Sequence, residues 1–82
     1  MTAADVATQL IAALEAAAER ETGQKTALVS VTVDMLAAPA DGAVTVSLTR
    51  KTRNFTFLGA ELITIGGARI ANASSVHKVI AA

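Results

Sequence analysis

The stretch from Arg53 to Ala73, Arg-Asn-Phe-Thr-Phe-Leu-Gly-Ala-Glu-Leu-Ile-Thr-Ile-Gly-Gly-Ala-Arg-Ile-Ala-Asn-Ala, constrains this chain more than any other. Apolar and polar residues alternate on both sides of Gly66-Gly67, and a side-chain period of two belongs to strands. A Gly-Gly pair between two such runs supplies the positive φ values of a tight two-residue hairpin turn. The pattern therefore predicts a strand over about Phe55 to Ile65, the turn, and a strand over about Ala68 to Ile80. No helical pattern follows Gly66-Gly67, so the pair reads as a turn and not as a phosphate-binding loop.

Upstream, the same period recurs. From Thr26 to Leu36, Val29, Val31, Val33 and Met35 fall on one face, with Ser30, Thr32 and Asp34 on the other, which is wet or partner-facing. Ala37 to Gly42 carries Pro39 and Asp41-Gly42, which interrupt the chain. A further strand over Ala43 to about Lys51 sets Val44, Val46 and Leu48 against Thr45, Ser47 and Thr49, and Arg50 to Asn54 is a polar turn. Ahead of the strands the period becomes helical. Thr2 with Asp5 three residues later is an N-cap with an acid in the first turn, and Val6, Leu10 and Leu14, with Ile11 and Ala18, recur at helical spacing. A helix from about Ala3 to Glu21 follows, ended by Gly23. Ala occupies nearly every face, which predicts a helix buried on more than one side. Helix then four antiparallel strands gives an α+β arrangement in one domain, residues 1–82, with the helix on one sheet face.

A domain of 82 residues buries only about 60 to 65% of the surface its unfolded chain exposes. Hydrophobic residues are 52% of the chain and aromatics 2%, so the core is expected from Ala, Val, Ile and Leu, with Phe55 and Phe57 as its large rings. With no Cys there are no disulfides or thiolate metal sites, and self-association is the expected route to stability. Seven basic and seven acidic residues cancel, leaving no overall field to draw nucleic acid or an anionic membrane, and neither is expected as a partner. The N-terminus has no Lys or Arg before Arg20, and Asp5, Thr8, Gln9 and Glu15 interrupt its apolar residues, unlike a secretory signal. No apolar run approaches the roughly 18 residues of a membrane span. A soluble cytoplasmic protein without metal or cofactor is expected, His77 being the single His.

Four phrases in this order carry a resemblance: Asp34-Met35-Leu36-Ala37-Ala38-Pro39-Ala40, Arg50-Lys51-Thr52-Arg53, Phe57-Leu58-Gly59-Ala60-Glu61-Leu62, and Gly66-Gly67 before Ala71-Asn72-Ala73. They resemble, over residues 26–76, an acid-aromatic-Leu-Arg-Pro-Ala phrase, a basic turn, a Phe-Val-x-Ala-Glu strand and an Ala-x-Ala return of hotdog-fold acyl-CoA thioesterases, in particular the phenylacetate-degradation type. The resemblance implies a helix wrapped by a curved sheet, with Ala60, Ala71 and Ala73 where the two meet. It also implies a dimer or tetramer in which the Thr26 to Leu36 strand pairs with its twin. Departures exist: no strand and His-Gly-Gly phrase precede Thr2, no Arg precedes Pro39, Thr52 replaces the turn Gly, and the catalytic acid has no clean counterpart. The chain is expected to be a minimal or truncated hotdog, or to take the absent strand from another polypeptide.

The resemblance implies hydrolysis of an acyl thioester by a carboxylate near the helix, with N–H groups of the helix N-terminus polarising the carbonyl. Gln9 lies nearest the family's catalytic position by counting back from Asp34-Met35-Leu36, as a substrate-orienting residue, and Glu15 is a carboxylate for the dimer cleft. Asp5 reads as a capping acid and Asp34 as a group that pairs across the dimer. Arg50, Lys51 and Arg53 are placed at the phosphates of coenzyme A. His77 shares its strand face with Ser75, but neighbours two apart are not expected to form a nucleophile–base pair. The alternative reading is a non-catalytic acyl-CoA-binding or assembly module that has lost the acid.

Overall fold

Helix formation starts where Thr2 and Asp5 cap each other. Thr2 Oγ1 accepts the Asp5 N–H at 3.1 Å and the Asp5 carboxylate accepts the Thr2 N–H at 2.8 Å, a reciprocal capping box. These Thr2 hydrogen bonds, the backbone one first, hold the exposed Asp5 carboxyl below its ordinary value. The computed structural model describes residues 1–80: α1 (Ala3–Thr22), β1 (Thr26–Met35), β2 (Ala43–Lys51), β3 (Phe55–Ile63) and β4 (Arg69–Val79). Gly23, at φ 66°, closes α1 by donating its N–H to the Glu19 carbonyl at 2.8 Å, a left-handed cap that a Cβ would disfavour.

The four strands form one antiparallel sheet in the order β1-β4-β3-β2. Helix α1 covers one face of it. Val6, Leu10, Leu14, Ala17 and Ala18 make the buried stripe of α1, against Leu58, Ala60 and Leu62 of β3 and Ala71 and Ala73 of β4. Ala60 and Ala73 are opposite one another in the central pair, so small side chains lie where helix and sheet approach. Val31, Val33, Val44 and Val46 close the core from the two edge strands. The helix is buried along this one stripe, not on several sides: Ala3, Ala4, Ala12 and Ala16 are exposed. Ala is the best helix former irrespective of burial, so its abundance overstated how much of α1 is covered.

Three register shifts reset the alternation read from the sequence; the one between β3 and β4 leaves Ile70 as an extra residue, between Arg69 opposite Ile63 and Ala71 opposite Leu62. In β1, Leu28 pairs with His77 and Ser30 with Val76, leaving Val29 as an extra residue; Leu28 takes the helix side and Val29 is 56% exposed. In β2, Leu48 pairs with Leu58 but Arg50 with Phe57, so Thr49 is the extra residue and the strand ends with its phase reversed. The hairpin also differs. Strand β3 stops at Ile63 and β4 starts at Arg69, so the connection is Thr64 to Ala68, and of the two glycines only Gly67 has positive φ, 88°. The Thr64 hydroxyl accepts the Ala68 N–H at 3.1 Å, and the Thr64 carbonyl accepts the Gly67 N–H at 2.9 Å. That side chain builds a wider loop than a two-residue turn.

Phe55 and Phe57 were expected in the core. Because Thr56 and Leu58 point to the helix, the intervening Phe residues point outward; Phe55 is 36% exposed and Phe57 half-buried.

Candidate functional site

On α1, Gln9 is half-buried and Glu15 exposed. Six residues separate them, which places them about 9 Å apart along the axis and about 120° apart around it. They flank opposite sides of the buried stripe, so one helix does not bring the two together.

The basic triplet is also divided. Arg50 stands opposite Phe57 on the outward face of the sheet, whereas Lys51, opposite Thr56, is on the helix side. Lys51 Nζ donates to the Glu21 carbonyl at 2.8 Å, satisfying one of the free carbonyls at the end of α1 and complementing its dipole. Arg53 lies in the turn between β2 and β3, which Thr52 orders: its N–H donates to the Phe55 carbonyl at 2.8 Å and its hydroxyl accepts the Phe55 N–H at 3.1 Å. Asp34 sits opposite Asn72 on the outward face. The ion pair found there, Arg69 with Glu61 at 3.7 Å, is exposed and contributes little.

Under the helix the strand brings Ser75 and His77 into contact, contrary to the expectation from their spacing. Residues two apart stand on one face, and here Ser75 Oγ lies 2.7 Å from His77 Nε2. No carboxylate completes a triad, since His77 Nδ1 has no partner; neither has Thr56 Oγ1, on the residue opposite. His77 is 0% and Ser75 4% exposed, so the pair is closed to substrate and acts as a polar inclusion in the core. Burial pulls the His77 pKa below its ordinary value, and the negative charge of Glu15 opposes this.

The outward face carries what the sequence reading passed over. Thr45, Ser47, Gly59, Glu61 and Asn72 line a cleft of about 350 Å³, opened by the missing side chain at Gly59. Ser30, Thr32, Thr49, Phe57, Ser74 and Val76 line a second, of about 200 Å³. The alternation of hydroxyls along β1 and β2 was the available signal. Among the described residues no group of His, Asp or Glu is gathered to hold a metal ion, and no helix is long and apolar enough to cross a membrane.

Against known proteins, the profile of the acyl-CoA thioesterase N-terminal domain matches residues 6–78. No curated protein matches the sequence. Among solved structures, a Bacillus halodurans protein crystallised with CoA superposes with a TM-score of 0.83 at 16% identity, covering 94% of this chain and 54% of that one. A protein of the thioesterase superfamily gives 0.84 at 17% identity, covering 98% and 62%. The chain thus spans less than two thirds of either structure, and at these identities the likeness is one of fold: the hotdog arrangement of a helix on an antiparallel sheet.

Proposed function

Since the chain belongs to the acyl-CoA thioesterase N-terminal domain family, we propose that it acts on acyl thioesters of coenzyme A at a site completed between two copies. The family match, which runs from the first turn of α1 to the end of β4, carries this reading. The CoA seen with the Bacillus halodurans structure supports the ligand class. The N-terminus of α1 is the group suited to polarise a thioester carbonyl; Gln9, half-buried one flank away, orients it, and Glu15 supplies a carboxylate. Arg50, Lys51 and Arg53 provide positive charge for the phosphates, Lys51 while also holding the end of α1.

The geometry of the single chain supports a site shared with a second copy. Gln9 and Glu15 occupy different flanks of α1, and Arg50 projects from the opposite face of the sheet, so a single chain presents these groups in separate directions. Strand β1, ten residues long and at the sheet edge, is the edge that pairs with its twin; unpaired, it would invite uncontrolled association.

The test is turnover of an acyl-CoA panel of graded chain length by the full chain, with sedimentation at micromolar concentration. Hydrolysis that falls at least tenfold in Glu15→Ala or Gln9→Ala supports the enzyme, and a stable monomer speaks against the shared site. Gln9 has no acid or base function, which favours one rival, a binding or assembly module. Saturable acyl-CoA binding with no turnover of any substrate would establish that rival and remove the enzyme.

A further inference from the structure

The outward face of the sheet is polarised along its strands. Lys78 and Phe55 stand side by side in one row, Val76 and Phe57 in the next, and Ser74 and Gly59 in the third. Asp34, Asn72 and Glu61 make the fourth, a carboxylate on each side of an amide. Positive charge thus lies toward one end of this face, where Arg50 stands beside Phe57, and negative charge toward the other. Glu19 and Glu21, near the cationic end, belong to α1 on the other side of the sheet. Arg69, near the acidic end, is engaged with Glu61 at 3.7 Å.

Two features of this face have no counterpart within the chain. Phe57 projects outward, half-buried, and two residues along β3 the missing side chain of Gly59 leaves a hole, the cleft of about 350 Å³. A Cβ at Gly59 would meet nothing closer than Ser47 Oγ at 3.6 Å, so the fold itself has room for a side chain there. The second feature is Asn72 Oδ1, a buried acceptor without a hydrogen-bond partner. Buried polar atoms are rarely left in that state.

A second copy supplies both. Consider a two-fold axis that lies between two outward faces, runs across the strands and passes at the level of Leu58 and Ser75, which are paired. One face then covers the other with its strands reversed. The Phe57 row lies on the second copy's Gly59 row, and the Lys78 row on its Asn72 row. Phe57 enters the hole at Gly59, and the Lys78 ammonium reaches Asn72 Oδ1 and the carboxylates on either side. Aligned sheets cross at about 30°. Roughly 10 Å from the axis, this moves Lys78 by about one strand spacing, onto Asp34 or Glu61, so opposite charges meet in either direction. An axis along the strands would instead stack cationic end on cationic end, which repulsion disfavours. Arg50, on the edge strand β2, stays at the rim in reach of solvent.

We infer that the outward face of the sheet is the contact surface for a second copy of this chain, stacked sheet to sheet with its strands reversed. Four strands about 19 Å across and about 30 Å long offer on the order of 600 Å² per copy before side-chain relief, the lower range of a specific interface. A central aromatic anchor in a pocket, with charge toward the rim, is the anatomy of such interfaces. The axis crosses β1 at Val31, opposite Ser75, near the middle of that strand. A twin paired through the middle of β1 has its own axis there, and two crossing axes close into four copies rather than an open array. The stacking contact does not rest on the acyl thioester reading.

Sedimentation equilibrium of the full chain tests it. The wild type is expected as a dimer, or as four copies where β1 pairs as well. Phe57→Ala and Gly59→Val each raise the dissociation constant of the stacked pair about tenfold or more, the second although a side chain fits at Gly59 within one copy. Lys78→Glu weakens stacking too, and adding Asp34→Lys with Glu61→Lys recovers it, a rescue that loss of folding does not produce. Circular dichroism of each variant verifies the fold. Isotope-filtered NOEs from the Phe57 ring of one copy to the Gly59 Hα of another locate the contact. A wild-type monomer at high-micromolar concentration, unchanged affinity in Phe57→Ala or Gly59→Val, or no rescue of Lys78→Glu overturns the inference. Acyl-CoA turnover by a chain that does not stack overturns this contact and leaves the enzyme standing.

Discussion

The two faces of the sheet are made by the same strands and serve opposite ends. Toward α1, β3 and β4 present Leu58, Ala60, Leu62, Ala71 and Ala73, all buried. On the other side the same strands present Phe55, Phe57, Gly59, Ser74 and Lys78, open or half-open. Alternate residues of one strand are thus under different demands: burial stabilises the fold on one side, while accessible rings, hydroxyls and charges on the other are free to meet a partner. The inner face has its own departure, the Thr56, Ser75 and His77 inclusion, where polarity is enclosed and only partly satisfied.

This contrast is open to direct tests, the strongest first. Leu58→Ala leaves a cavity beneath α1 and is expected to cost about 2–5 kcal/mol, enough to threaten a domain of this size. Ser74→Ala, on the outward face of the neighbouring strand, is expected to stay within about 0.5 kcal/mol. Urea midpoints compare the two, and equal losses would break the assignment of faces. Ser75→Ala comes next: it strands His77 Nε2 in the core and is expected to cost about 1–3 kcal/mol. A loss no larger than that of Ser74→Ala would mean that the buried hydrogen bond contributes nothing.

The smallest effect is in the pH dependence. The fold favours neutral His77, so its pKa lies below the ordinary 6.5, and between the two values the unfolded chain binds more protons. Stability then rises with pH across that window and is lost as pH falls below about 6.5. Thermal midpoints should decline from pH 7 to pH 5 in the wild type and change less in His77→Leu over the same interval. A parallel decline in both would assign the titration elsewhere.

Much of the architecture was legible because local chemistry agrees with it. The Thr2 and Asp5 box, the Gly23 stop, the helical spacing of Val6, Leu10 and Leu14 and the alternation in four strands all appear where the residues predict them. Ala60, Ala71 and Ala73 do meet the helix. What escaped was phase. One extra residue at Val29 and one at Thr49 invert the side on which later residues fall, and no period-two count detects a bulge. Hence Leu28 replaced Val29 at the helix, and of Arg50 and Lys51, which alternation separates in any phase, Lys51 took the helix side. The Ser75 and His77 contact escaped for a different reason: a two-residue spacing guarantees a common face, but only the crowding beneath α1 presses hydroxyl and imidazole together.

By itself, the sequence determined the elements, their order and the residues that build the core, since caps, turns and hydrophobic periods act over a few neighbours. Which way Phe55 and Phe57 face, and where the charges gather, was decided only by the tertiary structure. Register and bulges set the one, and the antiparallel return of the chain sets the other by bringing Arg20, Lys25, Arg50, Lys51, Arg53 and Lys78 to one end, where Glu19 and Glu21 offset part of their charge. A net charge of zero contains no trace of that arrangement, because it sums over positions that the fold keeps apart.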